Sequence, residues 1–143
     1  DDKGMRSVGE LRGRAIGAYS EWGDLDLNYK AAAHVDAEKC IGCDLCLVAC
    51  RDSSVDCIHT GSHPLPEGHR APSREAAIAR AAGSGVKVTW VDWDECTGCN
   101  LCSHVCPVPG CITMADDTRG KPFESWNDRI AKGTARVPGG LHD

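Results

Sequence analysis

Asp36-Ala-Glu-Lys-Cys40-Ile-Gly-Cys43-Asp-Leu-Cys46-Leu-Val-Ala-Cys50 returns as Asp92-Trp-Asp-Glu-Cys96-Thr-Gly-Cys99-Asn-Leu-Cys102-Ser-His-Val-Cys106, at a constant offset of 56 residues. All four cysteines coincide, as do Asp36/Asp92, Gly42/Gly98 and Leu45/Leu101. A further matched pair, Cys57-Ile58 and Cys111-Ile112, follows the two copies. Duplication of this kind points to a pseudo-twofold fold in which neither half is complete alone.

The spacing Cys-x2-Cys-x2-Cys-x3-Cys carries the chemistry. Three cysteines at intervals of three wrap a loop around one face of a [4Fe–4S] cubane, each supplying one iron. The fourth lies one helical turn on and points away, and in two-cluster ferredoxins it ligates the other cluster. The rule assigns Cys40, Cys43, Cys46 and Cys106 to cluster 1, and Cys96, Cys99, Cys102 and Cys50 to cluster 2. Gly42 and Gly98 suit a loop that bends tightly, since glycine tolerates positive φ and lets backbone N–H groups approach sulfur. Zinc takes four ligands and has no use for the extra Cys-x3-Cys of each copy. Cys57 and Cys111 stand outside the ligand count; a redox-sensing pair or spare ligands is one reading, and compact packing residues, each ahead of an Ile in an expected strand, is the preferred one. His104 lies inside a motif, but no cysteine is missing, so it is read as non-ligating. Trp22, Trp90, Trp93 and Trp126 read as packing residues.

Composition agrees with a metal-stabilised domain. Of 143 residues, ten are cysteine and only 41% hydrophobic, with 2 Tyr and 1 Phe. So thin a core gains from ligation, which contributes folding free energy directly. The net charge of −5 leaves no basic surplus for a nucleic-acid partner. No apolar run approaches the length of a membrane span, and no signal core opens the chain, which begins without Met. The expected setting is the cytoplasm, with this chain a piece of a longer protein. No nucleotide-binding glycine fingerprint is present, and no catalytic residue is assigned.

Outside the motifs, three segments are expected. Residues 1–33 form an N-terminal helix and connector, with Ser7 and Glu10 spaced as a capping box and Asp24–Lys30 extended. Residues 34–115 form the dicluster domain, interrupted by a surface insertion at 61–85. Within it, Ser73 is a possible cap for a helix over Arg74–Ala82 stopped by Gly83, and Val86–Trp90 alternates as a strand. Residues 116–143 form a C-terminal arm. The expected class is α+β: a two-cluster, bacterial-ferredoxin-like domain of short hairpins and short helices.

Several stretches together resemble one family. They are Asp24-Leu-Asp-Leu-Asn-Tyr-Lys30, Cys40-Ile-Gly-Cys43, Cys50-Arg-Asp-Ser-Ser54, Cys96-Thr-Gly-Cys99-Asn-Leu-Cys102, Cys106-Pro-Val-Pro-Gly-Cys-Ile-Thr-Met114 and Glu124-Ser-Trp-Asn-Asp-Arg129. They resemble the C-terminal iron–sulfur region of dihydropyrimidine dehydrogenases, most of all the catalytic subunit of the bacterial NAD-dependent form. The resemblance implies two [4Fe–4S] clusters on this chain, with FMN, FAD and NAD(P)H on other parts of the enzyme. The partners it implies are a flavin-binding barrel (FMN) and an FAD/NAD(P)H-binding subunit, with no membrane and no nucleic acid. The chain would be the last relay before the FMN that reduces uracil or thymine, with residues 1–33 strapping it to the barrel. The alternative is a free-standing dicluster ferredoxin serving another oxidoreductase. One departure is Cys50-Arg51, where simple bacterial ferredoxins have Cys-Pro. A positive charge beside Cys50 is expected to raise its cluster's potential.

Overall fold

A computed structural model of the chain describes residue 4 and residues 6–135. They divide into two compact units: Tyr29–Lys121, and the described residues up to Asn28 together with those from Pro122 onward.

Tyr29–Lys121 is a small α+β unit of β1 (Ala31–Val35), α1 (Leu45–Asp52), β2 (Ile58–Thr60), α2 (Arg74–Ser84), β3 (Thr89–Val91), α3 (Leu101–Val105) and β4 (Ile112–Asp116). The sheets are two-stranded and antiparallel. β1 pairs with β4, placing Val35 opposite Ile112, and β2 pairs with β3, placing Ile58 opposite Val91. Neither ribbon is the tight hairpin expected, because each joins the strand entering one cysteine motif to the strand leaving the other. The boundaries 33/34 and 115/116 consequently pass through β1 and β4. A two-stranded ribbon is marginal by itself; here α1 packs on α3, and β1 lies beside β3. The core holds one large side chain, Trp90, with small apolar residues such as Ala32, Ala33, Val35, Val88 and Val91, and cysteines. The Trp90 indole N–H donates to the Gly61 carbonyl at 3.0 Å, so its burial leaves no polar atom stranded.

α1 and α3 begin in the same unusual way. Asp44 and Asn100, directly before them, have φ of 59° and 63°, a conformation that short polar side chains tolerate. Gly42 and Gly98 are both at φ 72°. A Cβ on Gly42 would stand 2.8 Å from the Lys87 carbonyl oxygen, and one on Gly98 would stand 2.6 Å from that of Ala31. These glycines therefore serve loop curvature and also close contact with the strand segment of the other copy.

The insertion differs from the surface elaboration expected. α2 runs through Gly83 and ends where Gly85 takes φ 72°. Ser73 has no capping hydrogen bond, its backbone being already helical at φ −87°. Ala77 is buried against β3. Arg80 donates to the carbonyl of Cys40 at 2.8 Å and to that of Ala37. His69 Nδ1 lies 2.7 Å from an Asp92 carboxylate oxygen, the Trp93 N–H donates to the Arg70 carbonyl at 2.8 Å, and Arg70 pairs with Asp94 and buried Asp117. The strand is Thr89–Val91 rather than 86–90, and all three of its residues are buried.

In the second unit, short 3-10 turns at Val8–Leu11, Ile16–Ala18 and Trp22–Asp24 accompany α4 (Trp126–Ala131). Ser7 does not cap its turn. Glu10 instead accepts from the Arg6 N–H at 3.1 Å, so the expected box does not close. The box that forms is at α4, where Ser125 and Asp128 exchange hydrogen bonds with each other's backbone N–H. Asp24–Lys30 is not extended throughout. It begins in a 3-10 turn, turns again at Leu27-Asn28, and is fastened by Leu27 N–H to the Glu124 carbonyl at 2.9 Å. Trp22 and Trp126 pack with centroids 6.0 Å apart. Residues 1–3 and 5 of the expected strap, and 136–143 of the expected arm, lie outside the described residues. Among the described residues no helix is long and apolar enough to cross a membrane.

Candidate iron–sulfur centres

The eight motif cysteines line two cavities in Tyr29–Lys121. Cys96, Cys99 and Cys102 share the first with Cys50; Cys40, Cys43 and Cys46 share the second with Cys106. Each cavity, mouth included, holds about 320 Å³ of empty space. In both, three sulfurs come from one motif's loop and first helical turn, and the fourth from the other copy. The packing of α1 on α3 brings this about, because Cys50 in the last turn of α1 and Cys106 just past α3 are carried toward the opposite loop.

The donor set fits a cubane. One thiolate per iron requires four sulfurs around a hollow, whereas zinc draws four sulfurs to about 2.3 Å from a single point. Among the described residues, no three His, Cys, Asp or Glu side chains gather around one ion. The remaining walls are mostly apolar, Val35, Val108 and Ile112 on one side and Val55, Ile58 and Val91 on the other. Cys40, Cys46, Cys50, Cys96 and Cys102 are buried and Cys106 is half-buried, while Cys43 and Cys99 reach solvent. These two sulfurs offer each site an edge at the surface, where one-electron exchange with a partner is shortest.

The electrostatics ask for a cation. Burial pushes the Cys46 thiol up, with the Thr89 hydroxyl opposing. Burial, then the neighbouring Cys96, Cys46 and Cys99, push Cys102 up to about 12. Thiolates crowded into apolar cavities repel one another, and a bound metal both deprotonates and neutralises them. Cys96 is drawn down to about 5, chiefly by the Cys57 thiol, while Cys57 is pushed up by the same bond and by burial. The Cys57 Sγ is also 3.6 Å from that of Cys50. Cys111 lies on the wall of the second cavity and donates to the Asp36 carbonyl at 3.8 Å. Both are buried, as a packing role requires, and both hydrogen-bond as well.

Other motif residues hold the loops in place. The N–H groups of Asp36 and Asp92 donate to the carbonyls of Cys111 and Cys57 at 2.8 and 2.9 Å, and the carbonyls of the same aspartates accept from Cys40 and Cys96 at 3.1 and 3.0 Å. Arg51 is exposed and paired with Asp56 at 3.2 Å, which weakens the influence expected of its charge on Cys50. His104 lies within 3.5 Å of Asn100 and lines neither cavity. The residue that sequence reasoning missed is Thr89, whose hydroxyl is 3.5 Å from Cys46 Sγ. The 56-residue offset, which sets Thr89 against Ala33, is the signal that marks it.

Residues 69–114 match the family model of the 4Fe-4S dicluster domain, a stretch that includes the second cysteine motif. The chain is 29% identical over 123 residues to the NAD-dependent dihydropyrimidine dehydrogenase subunit PreA of Escherichia coli (strain K12), covering 80% of this chain and 22% of that protein. It is 41% identical over 54 residues to a heterodisulfide reductase-like protein of Archaeoglobus profundus, covering 35% of this chain and 8% of that protein. It thus spans less than a quarter of either relative. An uncharacterized protein in the rpl9-rpl11 intergenic region of Porphyra purpurea is 33% identical over 75 residues, 52% of this chain and 73% of its own length. The chain belongs to one family with the Porphyra purpurea protein and carries a 4Fe-4S dicluster domain, the kind of domain that transfers electrons.

Proposed function

We propose that Cys40, Cys43, Cys46 and Cys106 hold one [4Fe–4S] cluster and Cys96, Cys99, Cys102 and Cys50 the other, and that the chain relays electrons one at a time within a dihydropyrimidine dehydrogenase. The observation that carries this reading is the sorting of eight cysteines into two cavities, each completed by a sulfur from the opposite motif. Crossed ligation staples the copies together and keeps the clusters close, as hopping requires. A pseudo-twofold arrangement is supported by matched contacts: Val35 with Ile112 and Val91 with Ile58, Gly42 against Lys87 and Gly98 against Ala31.

The identity with PreA over 80% of this chain supports the finer assignment. Electrons would arrive from NAD(P)H by way of an FAD-bearing partner and leave to FMN on a barrel that reduces uracil or thymine. When bound, the clusters supply one-electron storage. The chain's own residues hold the thiolates at fixed separations, keep water from the buried sulfurs and leave Cys43 and Cys99 accessible. Residues 1–33 would be the strap to the barrel, 34–115 the cluster domain and 116–143 an arm. Large exposed side chains at Val8, Leu11, Ile16 and Tyr19 give such a strap an apolar surface to bury. The ten free cysteines suit a reducing compartment such as the cytoplasm.

The test is anaerobic reconstitution followed by metal analysis and EPR of the dithionite-reduced protein. About eight irons per chain and two interacting paramagnets are expected; a colourless, zinc-bearing protein overturns the cluster assignment. With FAD and FMN partners added, NADH should reduce the clusters and uracil should reoxidise them. Clusters that form but ignore uracil would leave the second reading, a dicluster module serving another oxidoreductase. The 41% identical segment of the heterodisulfide reductase-like protein favours that alternative.

A further inference from the structure

We propose that the Thr89 hydroxyl, by donating to Cys46 Sγ, makes the cluster held by Cys40, Cys43, Cys46 and Cys106 the more readily reduced of the two. The inference rests on the ligand assignment above and deepens it, because it gives electrons moving through the chain a preferred resting place.

Thr89 lies in β3 and is 1% exposed, with Oγ1 3.5 Å from Cys46 Sγ. A buried hydroxyl requires a partner. Among the described residues, the Cys46 sulfur is the partner it meets. A ligating thiolate carries no proton, so the hydroxyl must be the donor.

The duplication supplies an internal control. Subtracting the offset of 56 takes Cys102 to Cys46 and Thr89 to Ala33. Ala33 lines the first cavity, is 1% exposed, and has no hydroxyl to offer Cys102. An electron added to a cluster increases the negative charge on its sulfurs. A donor aimed at one sulfur therefore stabilises the reduced state more than the oxidised state, and this is one of the levers that set such potentials.

Other differences between the cavities largely cancel. Asp44 lines the second cavity where Asn100 lines the first, and its charge would favour the oxidised state. Lys87 pairs with it at 3.2 Å and offsets that charge. On the first side, Lys30 is held by Asp117 at 3.6 Å and Arg51 by Asp56 at 3.2 Å. Each cavity also carries one spare thiol: Cys57 lies 3.6 Å from Cys50 Sγ, whereas Cys111 donates to the Asp36 carbonyl, and S–H is a weak donor. Of the donors that the two sides do not share, the hydroxyl is the stronger.

The experiment is an EPR-monitored redox titration of the full chain with both clusters assembled. Wild type is compared with Thr89→Val, which removes the hydroxyl at similar volume, and with Thr89→Ser, which keeps it. Each is also titrated in a Cys50→Ala background, where only the cluster beside Thr89 should remain. Thr89→Val should lower that cluster's affinity for an electron about tenfold, a fall of about 59 mV for a one-electron couple. Thr89→Ser should restore it, and the other cluster should not move. Full iron with an unmoved potential, or a Ser variant displaced as far as Val, overturns the inference. If Thr89→Val does not hold its iron, Ala33→Ser carries the test: a hydroxyl beside Cys102 should raise the other cluster, and no rise refutes the idea. Failure of the ligand assignment would show separately, as wild-type protein lacking two clusters.

Discussion

Cys106→Ala removes one sulfur from the cavity lined by Cys40, Cys43 and Cys46, a site 60 or more residues away in sequence. If a structural metal site's binding energy of about 10–16 kcal/mol is shared by four thiolates, each accounts for about 3–4 kcal/mol, or two to three orders of magnitude in affinity. That is enough to empty the site during purification. The surrounding loop should then collapse or open. The assay is residue-resolved: anaerobic alkylation followed by mass spectrometry, alongside iron analysis. Iron should fall from about eight to about four per chain. Cys40, Cys43 and Cys46 should become reactive, while Cys96, Cys99, Cys102 and Cys50 stay protected. If Cys96, Cys99 and Cys102 were exposed instead, ligation would run within each motif and the crossed arrangement would be refuted.

Other perturbations address the scaffold. Gly98→Ala and Gly61→Ala both place a side chain at positive φ, about 1–2 kcal/mol each. Only Gly98 also faces a carbonyl 2.6 Å from the new Cβ, while Gly61 meets nothing within 4 Å. Thermal unfolding of the cluster-loaded protein should show Gly98→Ala clearly the less stable; equal losses would contradict the close approach. Ser125→Ala breaks the capping box of α4 and should cost about 0.5–2 kcal/mol, seen as faster amide exchange confined to α4 and its surroundings. The Asp92 carboxylate raises the pKa of His69 above its ordinary 6.5. That contribution to stability is fully present below 6.5 and is lost as pH rises through the elevated folded value. The stability advantage of wild type over His69→Gln should therefore shrink between mildly acidic and alkaline pH, and a constant difference would exclude the ion pair.

Some expectations fail for reasons visible in particular residues. Gly83 reads as the end of a helix, yet glycine inside a helix costs only about 1 kcal/mol, and Gly85 is the residue that adopts the left-handed turn. Ser7 and Glu10 have the spacing of a capping box, but the 3-10 turn they begin is too short to need it, and the same chemistry appears at Ser125 and Asp128. Val86–Trp90 alternates, but pairing with Ile58–Thr60 selects Thr89–Val91, and α2 covers a face that alternation would leave to water. The insertion reads as a surface loop because its attachments are long-range. Arg70 meets Asp117 and Asp94, His69 meets Asp92, and Arg80 meets the Cys40 carbonyl, at separations that no local pattern encodes.

The cofactor class was legible in the chain alone, because three thiols spaced by three residues are a local device: a few bonds of backbone determine which faces they present, whatever surrounds them. The duplication and its offset were equally plain. The rule for the fourth cysteine also gave the sorting of sulfurs that the two cavities display. Why Gly42 and Gly98 admit no side chain, and that Thr89 rather than Ala33 offers a hydroxyl to its neighbouring cysteine, were decided only by the packing of α1 on α3 and the pairing of β1 with β4 and β2 with β3. Such contacts join residues tens of positions apart, and they exist only once the folded core has brought the two copies together.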